Sequence, residues 1–125
     1  MIAHTSLPVT DYERAKAFYA AVLAPLGYTL AKEYGEAAGF NDGTNTDLWI
    51  AKGEHGVVPL HVAFEAKSKE QVDAFHAAAL AAGGTDNGAP GYRPDYWPGY
   101  YAAFAYDPDG HNLEAVCFDY SKGAA

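Results

Sequence analysis

Cysteine is almost missing from this chain: Cys117 stands alone among 125 residues. A lone thiol cannot build a disulfide framework, which is compatible with a reducing compartment. Positive charge is scarce too. Lys and Arg number 8 against 16 Asp and Glu, for a formal charge of −8. That balance argues against nucleic acid or an anionic membrane as partner. No apolar run approaches the ~20 residues that span a bilayer. No charged leader followed by an apolar stretch opens the chain, so a cytoplasmic protein is expected.

What is abundant is core-forming material. Half the residues are hydrophobic, with 10 Tyr, 6 Phe and 2 Trp. The length suits a single domain over residues 1–125. Residues 2–9 read as a strand. Thr10, with Glu13 three positions on, has the pattern of a capping box. Apolar side chains at Tyr12, Ala15, Phe18, Tyr19, Val22 and Leu23 then fall at helical spacing, and Pro25 and Gly27 stop the run. Strands are expected over residues 28–34, 36–41 and 46–51. The polar connector holding His55 follows, and the pattern restarts. Residues 57–66 read as a strand, 68–82 as a helix capped by Ser68 with Gln71, and 87–99 as a loop rich in Gly, Pro and Tyr. A hairpin over residues 101–118 closes the chain, turning at Asp107-Pro108-Asp109-Gly110. If Tyr106 faces His111 across that turn, Ala103 faces Glu114, and Tyr101 lies further along the Glu114 face.

The restart is a repeat. A shift of 57 positions carries His4 onto His61, Phe18 onto Phe75 and Gly27 onto Gly84. A shift of 65 carries Asp42 onto Asp107, Leu48 onto Leu113 and Trp49 onto Glu114. The fold class expected is α+β. Two βαβββ modules, residues 1–52 and 57–120, form a half-open mixed sheet or barrel.

The repeat also turns scattered residues into a constellation. His4 and His61 occupy equivalent points on the first strand of each module, and Glu114 lies on the last strand of the second. Alternation puts His61 opposite Leu60, Val62 and Phe64, on the polar side of its strand. Two imidazoles and a carboxylate in one cup suit a divalent metal with open coordination positions. The remaining histidines join no constellation. His55 sits in the connector, His76 replaces Tyr19 on a helix and reads as surface or interface, and His111 is in the turn.

Several of these stretches carry a family likeness: Ile2-Ala-His4 leading into Val9-Thr-Asp11, Phe18-Tyr19, Leu60-His61-Val-Ala-Phe64, and Asp107-Pro-Asp-Gly-His-Asn-Leu-Glu114. Over essentially its whole length the chain resembles the vicinal oxygen chelate superfamily. That superfamily includes glyoxalase I, fosfomycin and bleomycin resistance proteins, extradiol dioxygenases and methylmalonyl-CoA epimerase. The resemblance implies paired βαβββ modules, a homodimer, and a metal (Zn, Fe, Mn or Ni) on residues matching His4, His61 and Glu114. It implies a lyase, isomerase or dioxygenase that chelates a small substrate through adjacent oxygens. The alternative is a metal-free protein sequestering small molecules, of the bleomycin-resistance kind. Glyoxalase I uses a fourth ligand where this chain has Trp49. Glu114 and Tyr101 are the candidate catalytic groups. Trp49, Tyr101 and Arg93 are the candidate substrate contacts: an apolar plane, a hydrogen-bond donor and a cation for a carboxylate.

Overall fold

The first helix shows how local chemistry and distant contacts divide the chain's ends. In the computed structural model, which describes residues 1–54 and 56–123, helix α1 runs Tyr12–Leu23. His55 lies outside the described residues. The buried stripe of α1 is the one its spacing predicts: Tyr12, Ala15, Phe18, Tyr19, Val22 and Leu23. The cap differs. Asp11, not Thr10, accepts the backbone N–H of Arg14, at 3.1 Å. Thr10 is taken elsewhere: its hydroxyl donates to Asp109 Oδ1 at 2.5 Å, and its N–H points at the same carboxylate. Gly27 then closes the 3-10 turn Ala24–Leu26 at φ 88°, a conformation that favours glycine.

Two sheets of identical connectivity follow. Strands β1 (Thr5–Val9), β2 (Thr29–Tyr34), β3 (Ala37–Asn41) and β4 (Thr46–Lys52) lie in the order β1-β4-β3-β2. Strands β5 (His61–Glu65), β6 (Thr85–Tyr92), β7 (Tyr100–Tyr106) and β8 (Asn112–Phe118) lie in the order β5-β8-β7-β6. In each sheet the first strand pairs parallel with the last, and the other pairs are antiparallel. Helix α2 (Lys69–Ala81) is capped by Ser68, whose hydroxyl accepts from Gln71 N–H, while Gln71 reaches back to Lys67 N–H at 2.8 Å. The repeat in the sequence is thus a repeat of βαβββ units.

Three expectations need correction. Residues 85–92 form strand β6, although 87–99 reads as loop in the sequence. Gly88, Pro90 and Gly91 are tolerated there because β6 is an edge strand whose pairing with β7 slips at Asp86/Gly88 and again at Gly88/Gly91. The β7–β8 hairpin is one residue out of the expected register. Asp107 N–H bonds His111 C=O at 3.0 Å, so the turn closes at Asp107 and not at Tyr106. Phe104, not Ala103, therefore faces Glu114. A single-residue slip exchanges the two faces of a strand. Finally, His76 is not at the surface: it is buried on α2, with Nε2 2.8 Å from Asp86 Oδ1.

The modules share one core. Leu7, Val9, Phe40 and Ile50 of the first sheet belong to the same apolar cluster as Phe64, Leu113 and Ala115 of the second, with the stripes of α1 and α2. His111, fully buried, ties the modules together. Its Nδ1 accepts Leu60 N–H at 2.9 Å, so its Nε2–H donates to Pro8 C=O at 2.7 Å. Tyr19 on α1 adds a 2.5 Å bond to Asp107 Oδ2 in the same turn. These contacts leave the other face of each sheet free of the helices, and Trp49, His61 and Glu114 sit there, while Tyr101 faces α2.

Candidate metal and ligand site

Glu114 is the anomaly on the free face of the second sheet: a carboxylate only 2% exposed. Neighbouring strands bury it, with Phe104 opposite on β7 and Ala63 opposite on β5. A buried carboxylate is costly unless its oxygens are bonded. Both are. His61, two residues before Ala63 and so on the same face, brings Nε2 to 2.8 Å from Oε1. The Tyr100 hydroxyl donates to Oε2. Burial, then this bond to Glu114, pushes the Tyr100 hydroxyl well above its ordinary pKa, so it keeps its proton. The His61 side chain is about half exposed (53%), so the pair opens to solvent on the imidazole side.

Tyr101 is the residue the register moves. Its hydroxyl donates to Asp73 Oδ1 on α2 at 2.6 Å, away from Glu114. That bond, together with burial, pushes its pKa up to about 12. Tyr100 stands where Tyr101 was expected, and counting the turn as Asp107 to His111 would have found it. Arg93 borders the same sheet face, its guanidinium 5.4 Å from the Phe104 ring centroid. Its donors go to the Ala89 and Gly91 carbonyls, at 2.7 and 3.0 Å.

His4 and Trp49 belong to the first sheet. His4 precedes β1, and Trp49 on β4 pairs with Ser6. Both line a cavity of about 460 Å³. The Tyr34 ring stacks on Trp49 with centroids 6.0 Å apart and planes 14° apart. Asp47 occupies the bulge where β4 slips against β3. Its Oδ1 is buried without a partner, although Tyr28 donates a hydrogen bond to the carboxylate. Burial holds Asp47 above the usual carboxylate range.

The donors of His61 and Glu114 have the right chemistry for a divalent cation, neutral imidazole and carboxylate. A third ligand is not beside them. Among the described residues no three His, Cys, Asp or Glu side chains come close enough to hold a metal. The structure joins His61 with Glu114 and leaves His4 on the other module. Within one chain only two donors of the three come together.

Comparison with known proteins fits this architecture. The profile of the Glyoxalase/Bleomycin resistance protein/Dioxygenase superfamily matches residues 1–115. The chain belongs to that superfamily. Among solved structures, a glyoxalase/bleomycin resistance protein from Albidiferax ferrireducens T118 is 30% identical, with TM-score 0.82 over 92% of this chain and 97% of that one. Lactoylglutathione lyase from Agrobacterium tumefaciens superposes with TM-score 0.69 at 20% identity, over 94% and 92% of the two chains. The fosfomycin resistance protein FosX from Listeria monocytogenes does so with TM-score 0.71 at 19% identity, over 98% and 96%. At such identities the last two share the superfamily fold and carry no further inference. No curated protein matches the chain. The superfamily's glyoxalase-like α+β fold of two modules is the one described above.

Proposed function

We propose that this superfamily member is a small metal-dependent enzyme acting on a small molecule that offers two adjacent oxygens. In this reading His61 and Glu114 of one copy hold a divalent metal together with His4 of a second copy. One observation carries it: Glu114 is buried, yet its Oε1 faces the half-exposed His61 Nε2 at 2.8 Å on the open sheet face.

The metal would supply Lewis acidity to the chelated oxygens. The protein supplies the rest. Tyr100, holding its proton, fixes Oε2 and so aims Oε1 toward His61. Ala63 and Phe104 flank the carboxylate and keep bulk water from its sides. Glu114 Oε1, the oxygen that Tyr100 leaves free, would face the metal, and on release from it would take a proton from a substrate carbon as general base.

A second reading has its own support. Within one chain both Glu114 oxygens are already bonded, and no third ligand is near. The superfamily site would then bind a small molecule without metal. Metal content separates the readings. Purified wild-type protein is expected to retain close to one divalent ion per chain, and His61→Ala only a trace. Equal trace metal in both proteins would remove the enzyme reading and leave the binding one.

A further inference from the structure

The first module carries a surface beside His4 whose other side chains the metal chemistry does not use. Trp49 lies flat on its sheet because Gly39 lies beneath it: a Cβ at Gly39 would come within 2.8 Å of indole Cε2 and Cζ2. One face of the indole is thus spent on the backbone, and the ring also lines the cavity of about 460 Å³. That volume falls within the usual range for small-molecule sites. Tyr34 stacks on the indole at an offset, centroids 6.0 Å apart, and does not itself line the cavity. The flanking side chains are small, Ala37 and Ala51, so a second planar ring can lie on the first.

The charge of this cavity runs against that of the molecule. The chain bears −8, yet among the described residues no carboxylate lines the cavity. Lys32 does line it, and among the described residues its ammonium has no ion-pair or hydrogen-bond partner. Three other lysines are engaged, Lys16 with Glu33, Lys52 with Glu36 and Lys69 with Asp119, while Lys67 is as free as Lys32 but lies away from the cavity. Ser6 and Thr46 add hydroxyls at the same wall, and His4 stands at the cavity's edge of β1. A flat aromatic floor beside an unpaired cation selects one class of ligand.

We propose that this cavity is a subsite for a planar aromatic carboxylate, its ring stacked on Trp49 and its acid group on Lys32. The inference deepens the function proposed above by naming the substrate class, and rests on that reading only for the chemistry after binding. The subsite itself needs neither the metal nor His61.

Calorimetric titration of metal-stripped protein with 1-naphthoate, 1-naphthamide and cyclohexanecarboxylate tests it. Naphthoate is expected to bind about fivefold more tightly than the amide, the size of one solvent-facing charge contact. The saturated acid should bind more weakly still, for want of a ring to stack. Lys32→Met should abolish the acid-over-amide preference while leaving the amide's affinity in place. Trp49→Leu should weaken both aromatic probes. Lys67→Met, an exposed lysine that does not line the cavity, should bind naphthoate as wild type does. Acid and amide binding equally to wild type would overturn the proposal. So would a preference that survives Lys32→Met. Failure of the metal reading alone leaves these affinities unmoved.

Discussion

Two adjacent tyrosines divide the work at the end of the chain, and substitution can tell them apart. Tyr100 bonds the buried Glu114, and Tyr101 bonds Asp73 on the outer helix. Tyr100→Phe strips a donor from a carboxylate that water barely reaches, leaving Oε2 with no partner. The expected cost is about 1–3 kcal/mol in urea denaturation. Activity or ligand binding at Glu114 should fall with it. Tyr101→Phe loses a bond whose acceptor is in solvent contact, and should leave the Glu114 site as it was. The reverse pattern would restore the register read from the sequence. That register failed on one residue. Asp107 reads as the first residue of a four-residue turn, but its carboxylate also accepts His111 N–H at 2.8 Å and Asp109 N–H at 2.9 Å. With its own N–H on His111 C=O, Asp107 becomes the last rung of the ladder. This capture is local, two and four residues on, and an Asp opening a turn invites it, but residue type does not say at which residue the ladder then closes.

Elements were legible where burial is one-sided and periodic. The α1 stripe is where apolar spacing puts it, the Ser68 cap of α2 is where the capping box puts it, and strands β3 and β4 flank the turn read at residues 41–45. Strand β6 was hidden because an edge strand tolerates Gly and Pro that a central one would reject. The bulge in β4 was equally silent in the sequence, and it leaves Asp47 Oδ1 buried and unpaired. Since burial raises the Asp47 pKa in the folded chain, the folded state binds that proton more tightly than the unfolded one. The ionised form therefore costs stability at neutral pH, and the cost fades as pH falls toward and below the ordinary value of 3.8. Asp47→Asn keeps an acceptor for Tyr28 and removes the charge. It should stabilise the protein by about 1 kcal/mol at pH 7, the low end for a desolvated polar atom because the rest of the side chain reaches solvent. The gain over wild type should shrink to nothing in acid. Paired urea titrations at pH 7 and pH 3.5 would show it, and a constant difference would mean the charge is not the cause.

At the scale of the molecule, the repeat made His4 and His61 equivalent, and equivalence in a repeat is not proximity. One core and the His111 bridge hold the modules in a fixed relation, in which Glu114 meets His61 while His4 serves the other sheet. A three-ligand centre then requires a second copy. Two-fold pairing would set each module one against the partner's module two, giving two equivalent sites per dimer. Subunit mixing tests this directly. His4→Ala and His61→Ala should each lose bound metal as homodimers. Co-expressed with different tags, they form heterodimers in which one site combines both substitutions and the other combines neither. The unfractionated mixture should recover about a quarter of wild-type metal, and the doubly tagged fraction about half. If each site were instead built within one chain, every chain in the mixture would still lack a ligand and no metal would return. Recovery in the doubly tagged fraction alone would thus place His4 across the dimer from Glu114, and Trp49 and Lys32 with it.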